Sequence, residues 1–398
     1  MKERYYSLDV FRGATVALMI LVNNPGSWEH IYAPLDHSEW HGCTPTDLVF
    51  PFFLFAVGNA MAFVIPKLQQ RGDASAFWKK VLRRFVLIFL IGLFLNWSPF
   101  CYYLKGHLHF KGWENPNFDD DGNPITTGIR VLGVLQRISI CYLFASIIAF
   151  YTKPKATLWI GVIILLFYWL ITYLLGAPGD PYSLKGFWGT QLDINIFGAK
   201  HVYHGEGVPF DPEGLASAIA AIVQPLLGYL TGLYIQKKGK TYEMLSNLFV
   251  FGAILIFIGF AWDMVFPINK KIWTSSFVVY TTGLALMVIG VFIYLLEFKN
   301  KAGFWSRFFD VFGKNPLFIF FMSGFLPRIQ GLIRIPGSTD ADGTVHHLSP
   351  FSWFYEHICK NIVTADLRVG SLVFAICSVS MYWFFAWVMD KNKIYVKV

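Results

Sequence analysis

LDHSEWHGCTPTDLVFPFF, residues 35–53, sets a loop rich in histidine and acid directly against an apolar segment. Between Asn23 and Thr46 lie His30, His37 and His41 with Glu29, Asp36 and Glu39, and neither Lys nor Arg. In a membrane protein a connection without Lys or Arg tends to lie away from the cytoplasm. Histidine is the side chain whose ordinary pKa suits proton transfer near neutrality. The stretch therefore reads as chemistry on the outer face of a membrane.

Composition supports the membrane. The chain is 55% hydrophobic and only 15% charged, with mean hydropathy +0.48, whereas soluble domains average about 25% charged residues. Its 40 Phe, 19 Tyr and 14 Trp suit lipid-facing helices with interfacial belts. The class is an all-α polytopic membrane protein, one transmembrane domain over residues 1–398. Apolar runs predict ten spans, at about 8–24, 45–65, 81–98, 129–151, 157–175, 214–235, 245–263, 273–296, 310–327 and 366–389. Residues 1–6 are short and basic, with no small-residue cleavage site behind them. The first apolar run is therefore expected to stay as the first span.

The net charge of +8 does not indicate nucleic acid, because the basic residues are scattered over short connections. With both termini in the cytoplasm, nineteen Lys and Arg fall at inner connections and nine at the much longer outer ones. All ten histidines then fall outside, with most of the acids. Acids are simply tolerated outside, or an outer chamber binds a polar substrate; both explanations fit. The outer loops at about 99–128, 176–213 and 328–365 are long enough to suggest function. Their aromatic residues stand among carboxylates and amides, as a sugar site needs and as interfacial anchors also would. The five cysteines show no metal spacing. Cys141 and Cys377 read as packing residues within spans, and Cys43, Cys101 and Cys359 lie where a disulfide is possible.

Five further stretches carry polar groups into apolar surroundings. In SLDVFRG (7–13), Asp9 and Arg12 share a helix face, as a helix-end ion pair or as the mouth of an anion site. KKVLRRF (79–85) brings Arg83 and Arg84 to a helix start, as topology signals or as a phosphate cradle. In IRVLGVLQR (129–137), Arg130 and Arg137 fall seven apart on one predicted helix face, beside Gln136. They need distant carboxylates or a polyanionic ligand. In FDPEG (210–214), Asp211 and Glu213 cap a helix, or hold sugar hydroxyls or an ammonium. WDMVFPINKKIW (262–273) is a tight outer turn with Asp263, Asn269 and Lys270.

Taken together and in order, these motifs resemble the heparan-α-glucosaminide N-acetyltransferase family and its bacterial relatives. SLDVFRG, the W-x-G-x-T-x-x-DLVFP run at 40–51, IRVLGVLQR, DPEG (211–214), PINKKIWTSSFV (267–278) and GKNPL (313–317) carry the resemblance over nearly the whole chain. SLDVFRG is also similar to the opening motif of the wider transmembrane acyltransferase group. The resemblance implies transfer of an acetyl group from cytosolic acetyl-CoA to the amine of a glucosamine across the membrane. It places the active histidine at His37 and its partner asparagine at Asn23, beside Asn24. His37 would then be general base or acetyl carrier, with Asp36 or Glu39 orienting its ring. Arg12, Arg83 and Arg84 would hold the CoA phosphates, with Arg130, Gln136 and Arg137 along the arm. Trp40, Asp47, Asp211, Glu213, Asp263 and Asn269 would face the amino sugar. The resemblance further implies a bacterial inner membrane, the histidine loop in the periplasm, contact with membrane lipid, a possible homodimer, and no metal. The loop before His37 is a few residues longer than in the animal enzymes, and their large N-terminal luminal domain has no counterpart here, so acceptor recognition is expected to differ. A transporter for an amino sugar or organic anion, and an envelope O-acyltransferase, are the rival readings; a heme or metal protein fits less, since no histidine pair has ligand spacing within a span.

Overall fold

The computed structural model describes residues 5–104, 107–114, 128–339 and 345–396. Lys2, Arg4, Lys105 and Lys397 of the basic tally lie outside the described residues. The chain is an all-α polytopic membrane protein. Its helices are α1 (Tyr6–Asn23), α2 (Val49–Arg71), α3 (Ala74–Trp97), α4 (Val134–Tyr151), α5 (Pro154–Leu175), α6 (Gly189–Phe197) and α7 (Leu215–Ala221). There follow α8 (Val223–Lys238), α9 (Tyr242–Asp263), α10 (Ser275–Ile293), α11 (Phe304–Lys314), α12 (Pro316–Gln330), α13 (Pro350–Phe354) and α14 (Leu367–Lys391). Two antiparallel hairpins, β1 (Cys101–Leu104) with β2 (His107–Phe110) and β3 (Ile335–Thr339) with β4 (Val345–Leu348), decorate the long loops. The apolar pattern gave no sign of these hairpins.

Among the described residues eight helices, or continuous helix pairs, are long and apolar enough to cross a membrane. The ten-span count differs at two places. The third span, α3, has the length but opens with Lys79, Lys80, Arg83 and Arg84. The ninth straddles a break at Asn315, where Pro316 cannot continue the backbone hydrogen bonding of α11 and starts α12 afresh. The fourth begins late, because Ile129–Gly133 is not helical. That irregular backbone lies among side chains that satisfy it. Asn96 donates to the carbonyls of Arg130 (3.0 Å) and Leu132 (2.9 Å), and Gln136 to that of Val131 (2.9 Å). Backbone outside a helix is tolerated at membrane depth only with such partners.

Polar contacts between connections gather at the two ends of the bundle. At the end where α1 begins, Glu297 accepts from Ser7 and pairs with Lys240, and Lys314 bridges Asp310 and Asp390. At the other end the histidine loop is tied to the α9–α10 turn by Gly42 N–H to the Ile268 carbonyl, 2.7 Å. Helix pairs approach closely through glycine, as membrane helices must when dispersion rather than water drives association. A Cβ on Gly58 of α2 would run into the Pro225 carbonyl of α8, and one on Gly228 into that of Phe55. Gly58→Ala should therefore separate α2 from α8 and cost about 1–3 kcal/mol, read as a lower melting temperature in detergent. An unchanged melting temperature would refute this packing. All five cysteines are free, and Cys377, read from sequence as a packing residue, is exposed.

Candidate active site

Three elements meet at His37. Its loop leads through the short turn Pro45–Leu48 into α2, so Asp47 stands one turn ahead of the membrane segment. His37 Nδ1 lies 2.7 Å from Asp47 Oδ1. Asp47, 1% exposed, also accepts from the backbone and hydroxyl of both Ser38 and Thr44, at 3.0–3.1 Å. Such a fully bonded carboxylate favours the tautomer with the proton on Nδ1 and the lone pair on Nε2. The ring itself is 37% exposed and borders a cavity of about 180 Å³.

The orienting carboxylate is thus Asp47 and neither Asp36 nor Glu39. Asp36 accepts from the backbone N–H of His37 (2.8 Å), and the Glu39 carbonyl accepts from Lys271. Nor does Asp47 face a substrate, because its oxygens are already used. Lys270, which in sequence is one polar residue of an outer turn, joins the pair: its Nζ lies 3.0 Å from His37 Nδ1 and 3.4 Å from Asp47. Asn23, the last residue of α1, borders the His37 cavity and also a larger one of about 340 Å³. Its neighbour Asn24 donates to the Ile20 carbonyl and borders only the larger cavity.

The larger cavity is lined by Asn23, Asn96, Gln136, Arg130, Ser323 and Arg328 among others. Arg130 does not share a helix face with Arg137, since α4 starts after it. Arg130 spans Asp211 and Glu213, with Nε to Asp211 Oδ2 at 2.9 Å. The two carboxylates compensate the charge of the buried guanidinium. Asp211, 2% exposed, is therefore an ion-pair partner rather than a helix cap or a sugar ligand; Glu213 still borders the His37 cavity. Arg137, fully buried, donates to the carbonyls of Pro212 and Gly214 and to Ser217, and lies under Trp273. It fastens the start of α7, while its buried Nε and Nη1 find no hydrogen-bond partner among the described residues. Gln136 serves the extended segment and the larger cavity, not a passage to the other end.

Three further residues prove structural. Trp40 donates to the Tyr182 carbonyl (2.9 Å) and packs on Phe210. Asp263 accepts from Ile268 N–H (2.5 Å). Asn269, fully buried, accepts from Ile272 N–H (3.0 Å) and shapes the turn that presents Lys270.

From His37 a row of cavities runs to the opposite end. The next, about 100 Å³, shares Phe53 and Ile138 with the His37 cavity and adds Arg12, Arg84 and Tyr142. The last, about 260 Å³, shares Arg12, Ala56 and Ala60 and adds Tyr5, Asp9 and Asn59. Arg84 lies over the Tyr142 ring at 4.7 Å, and its buried Nε has no hydrogen-bond partner among the described residues. Arg12 spends donors on Asp9 (2.9 Å) and the Gly313 carbonyl (2.8 Å). An orphaned guanidinium N–H beside a second arginine fits an anion such as a phosphate of CoA. Arg83 is exposed and borders none of these described cavities. Among the described residues no group of three or more His, Cys, Asp or Glu has metal geometry.

Fold and site define a polytopic membrane protein with a histidine–carboxylate centre joined through the bundle to a basic mouth. Residues 4–183 match the family described as heparan-alpha-glucosaminide N-acetyltransferase, catalytic. The chain is 25% identical to the heparan-alpha-glucosaminide N-acetyltransferases of Mus musculus and Homo sapiens, over 96% and 93% of its own length. The chain is therefore similar to that family, as its motifs suggested. It spans 60% and 58% of the length of those two relatives.

Proposed function

We propose that this protein moves an acetyl group from acetyl-CoA to the amine of a glucosamine, across the membrane. One observation carries the reading: the row of cavities that joins Arg12 and Arg84 to His37 and Asn23. Arg84 and Arg12 hold CoA phosphates, and the pantetheine arm follows the cavities between Phe53, Ile88 and Ile138. That arm is about 15–20 Å long when extended, enough for much of a roughly 30 Å core. The thioester then lies by Asn23, whose amide donates to the carbonyl oxygen as negative charge gathers there. The sugar enters from the larger cavity bordered by Arg130, Asn96 and Arg328. Its nitrogen attacks the carbonyl carbon, the C–N bond forms, and His37 Nε2 takes the proton from nitrogen. The C–S bond breaks with its electron pair on sulfur, and the thiolate takes up a proton. The excess of Lys and Arg at connections on the α1 end supports a cytoplasmic position for that end, with His37 facing the periplasm of a bacterial inner membrane.

Purified protein in detergent should transfer label from acetyl-CoA to glucosamine. Saturable CoA binding without product would direct the search to other acceptors, including hydroxyls. Neither binding nor product would favour a transporter. The mouth has its own test. Arg84→Gln should raise KM for acetyl-CoA roughly 10- to 100-fold with little change in kcat, as expected for a lost charge-assisted hydrogen bond. An unchanged KM would remove Arg84 from the donor site.

A further inference from the structure

A histidine–carboxylate pair acting as base has no need of an ammonium, yet Lys270 Nζ lies 3.0 Å from His37 Nδ1 and 3.5 Å from Nε2. An ionised carboxylate on a histidine ring favours the imidazolium, and an imidazolium has no lone pair with which to accept a proton. The charges around the ring resolve this. Asp47 faces it from the turn before α2, and Lys270 from the α9–α10 turn. Glu213 borders the same cavity from the segment before α7, already paired with Arg130 from the segment before α4. Asp36, on the ring's own loop, is spent on a backbone N–H. From α1, α4 and α12 the cavity receives Met19, Val22, Asn23, Val134, Ile138 and Phe320, none charged. Lysine balances aspartate, and arginine balances glutamate, only while the ring carries no charge.

We propose that Lys270 is a positioning residue whose ammonium, held against the His37 ring, sets the acid limb of activity. The inference rests on His37 being the base. Burial lowers the affinity of Lys270 for its own proton, and Asp47 works in the opposite direction. The sign is fixed by like charges: removing the ammonium stabilises imidazolium, so a higher pH is needed to free the lone pair.

The test is kcat/KM for glucosamine acetylation against pH in wild type, Lys270→Gln and Lys270→Arg. The glutamine variant should move the acid-limb midpoint up by about one pH unit or more, a tenfold or greater change in proton concentration, while its maximal rate survives at high pH. Arginine should leave the midpoint near that of wild type. An unmoved midpoint in Lys270→Gln, or equal losses in both variants at every pH, would overturn the inference. If the glutamine variant does not fold, Lys270→Ala with added ethylammonium serves: the cation should return the midpoint toward that of wild type, and its failure to do so counts against the proposal. Titration of the ¹⁵N-labelled ring, assigned by difference from His37→Gln, reads the coupling without turnover. No acetyl transfer with a shifted titration would sink the acetyltransferase reading alone. An unshifted titration would sink the role of Lys270.

Discussion

His37→Ala is expected to lower acetyl transfer by about 10²- to 10⁴-fold, the range that a positioned base contributes, without altering insertion or the melting temperature. The ring is partly exposed and already borders a cavity, so its loss enlarges that space and opens no new void in the core. What it removes is the Nε2 lone pair and one of the partners of Asp47. The other bonds to Asp47 come from Ser38, Thr44 and Lys270, so the carboxylate stays satisfied. The variant should also keep its affinity for CoA, because Arg12 and Arg84 line the neighbouring cavity and not the one that His37 borders. Full activity in this variant would sink the assignment of the base.

Arg130→Ala should destabilise the fold more than any of the other substitutions, at about 3–5 kcal/mol, the usual result of removing one partner from a buried ion pair. Asp211 and Glu213 would lose the guanidinium that compensates both of them, and Asp211 is almost wholly removed from solvent. The same side chain lies over Tyr203 at 4.8 Å, and the carbonyl of residue 130 takes the Asn96 amide. The extended segment 129–133 and the lead into α7 would therefore loosen together. Thermal melting in detergent should show the loss. A variant that melts like wild type would show the pair to be dispensable.

The membrane class was legible because it depends on summed apolarity, to which single residues matter little. The site was legible only in part. The histidine loop stands out by residue type, but the choice of His37 and Asn23 comes from the resemblance of the motifs, and one cavity borders both. Asp36 and Asp47 could not be ranked from sequence. Which carboxylate reaches the ring depends on how the loop folds back on the turn at Pro45, and Thr44 and Ser38 decide it by bonding to Asp47. Arg137 and Arg130 look alike on a helical wheel, but Gly133 ends the regular backbone between them. One becomes a clamp on α7 and the other an ion-pair hub. Lys270 was masked by company: in NKK beside a membrane span it reads as an interfacial charge, and only the fold turns it inward.

The two cavities that meet midway have only Phe53 and Ile138 in common as lining. A hydrated ion would have to shed its shell to pass between an aromatic ring and a branched alkyl group, at a cost of several kcal/mol. A slender, uncharged thiol-ended chain pays no such penalty. On the proposed function, a two-carbon fragment passes from one compartment to the other while the proton gradient across the same bilayer stays intact. Vesicles bearing the protein should hold a pH difference as well as empty ones.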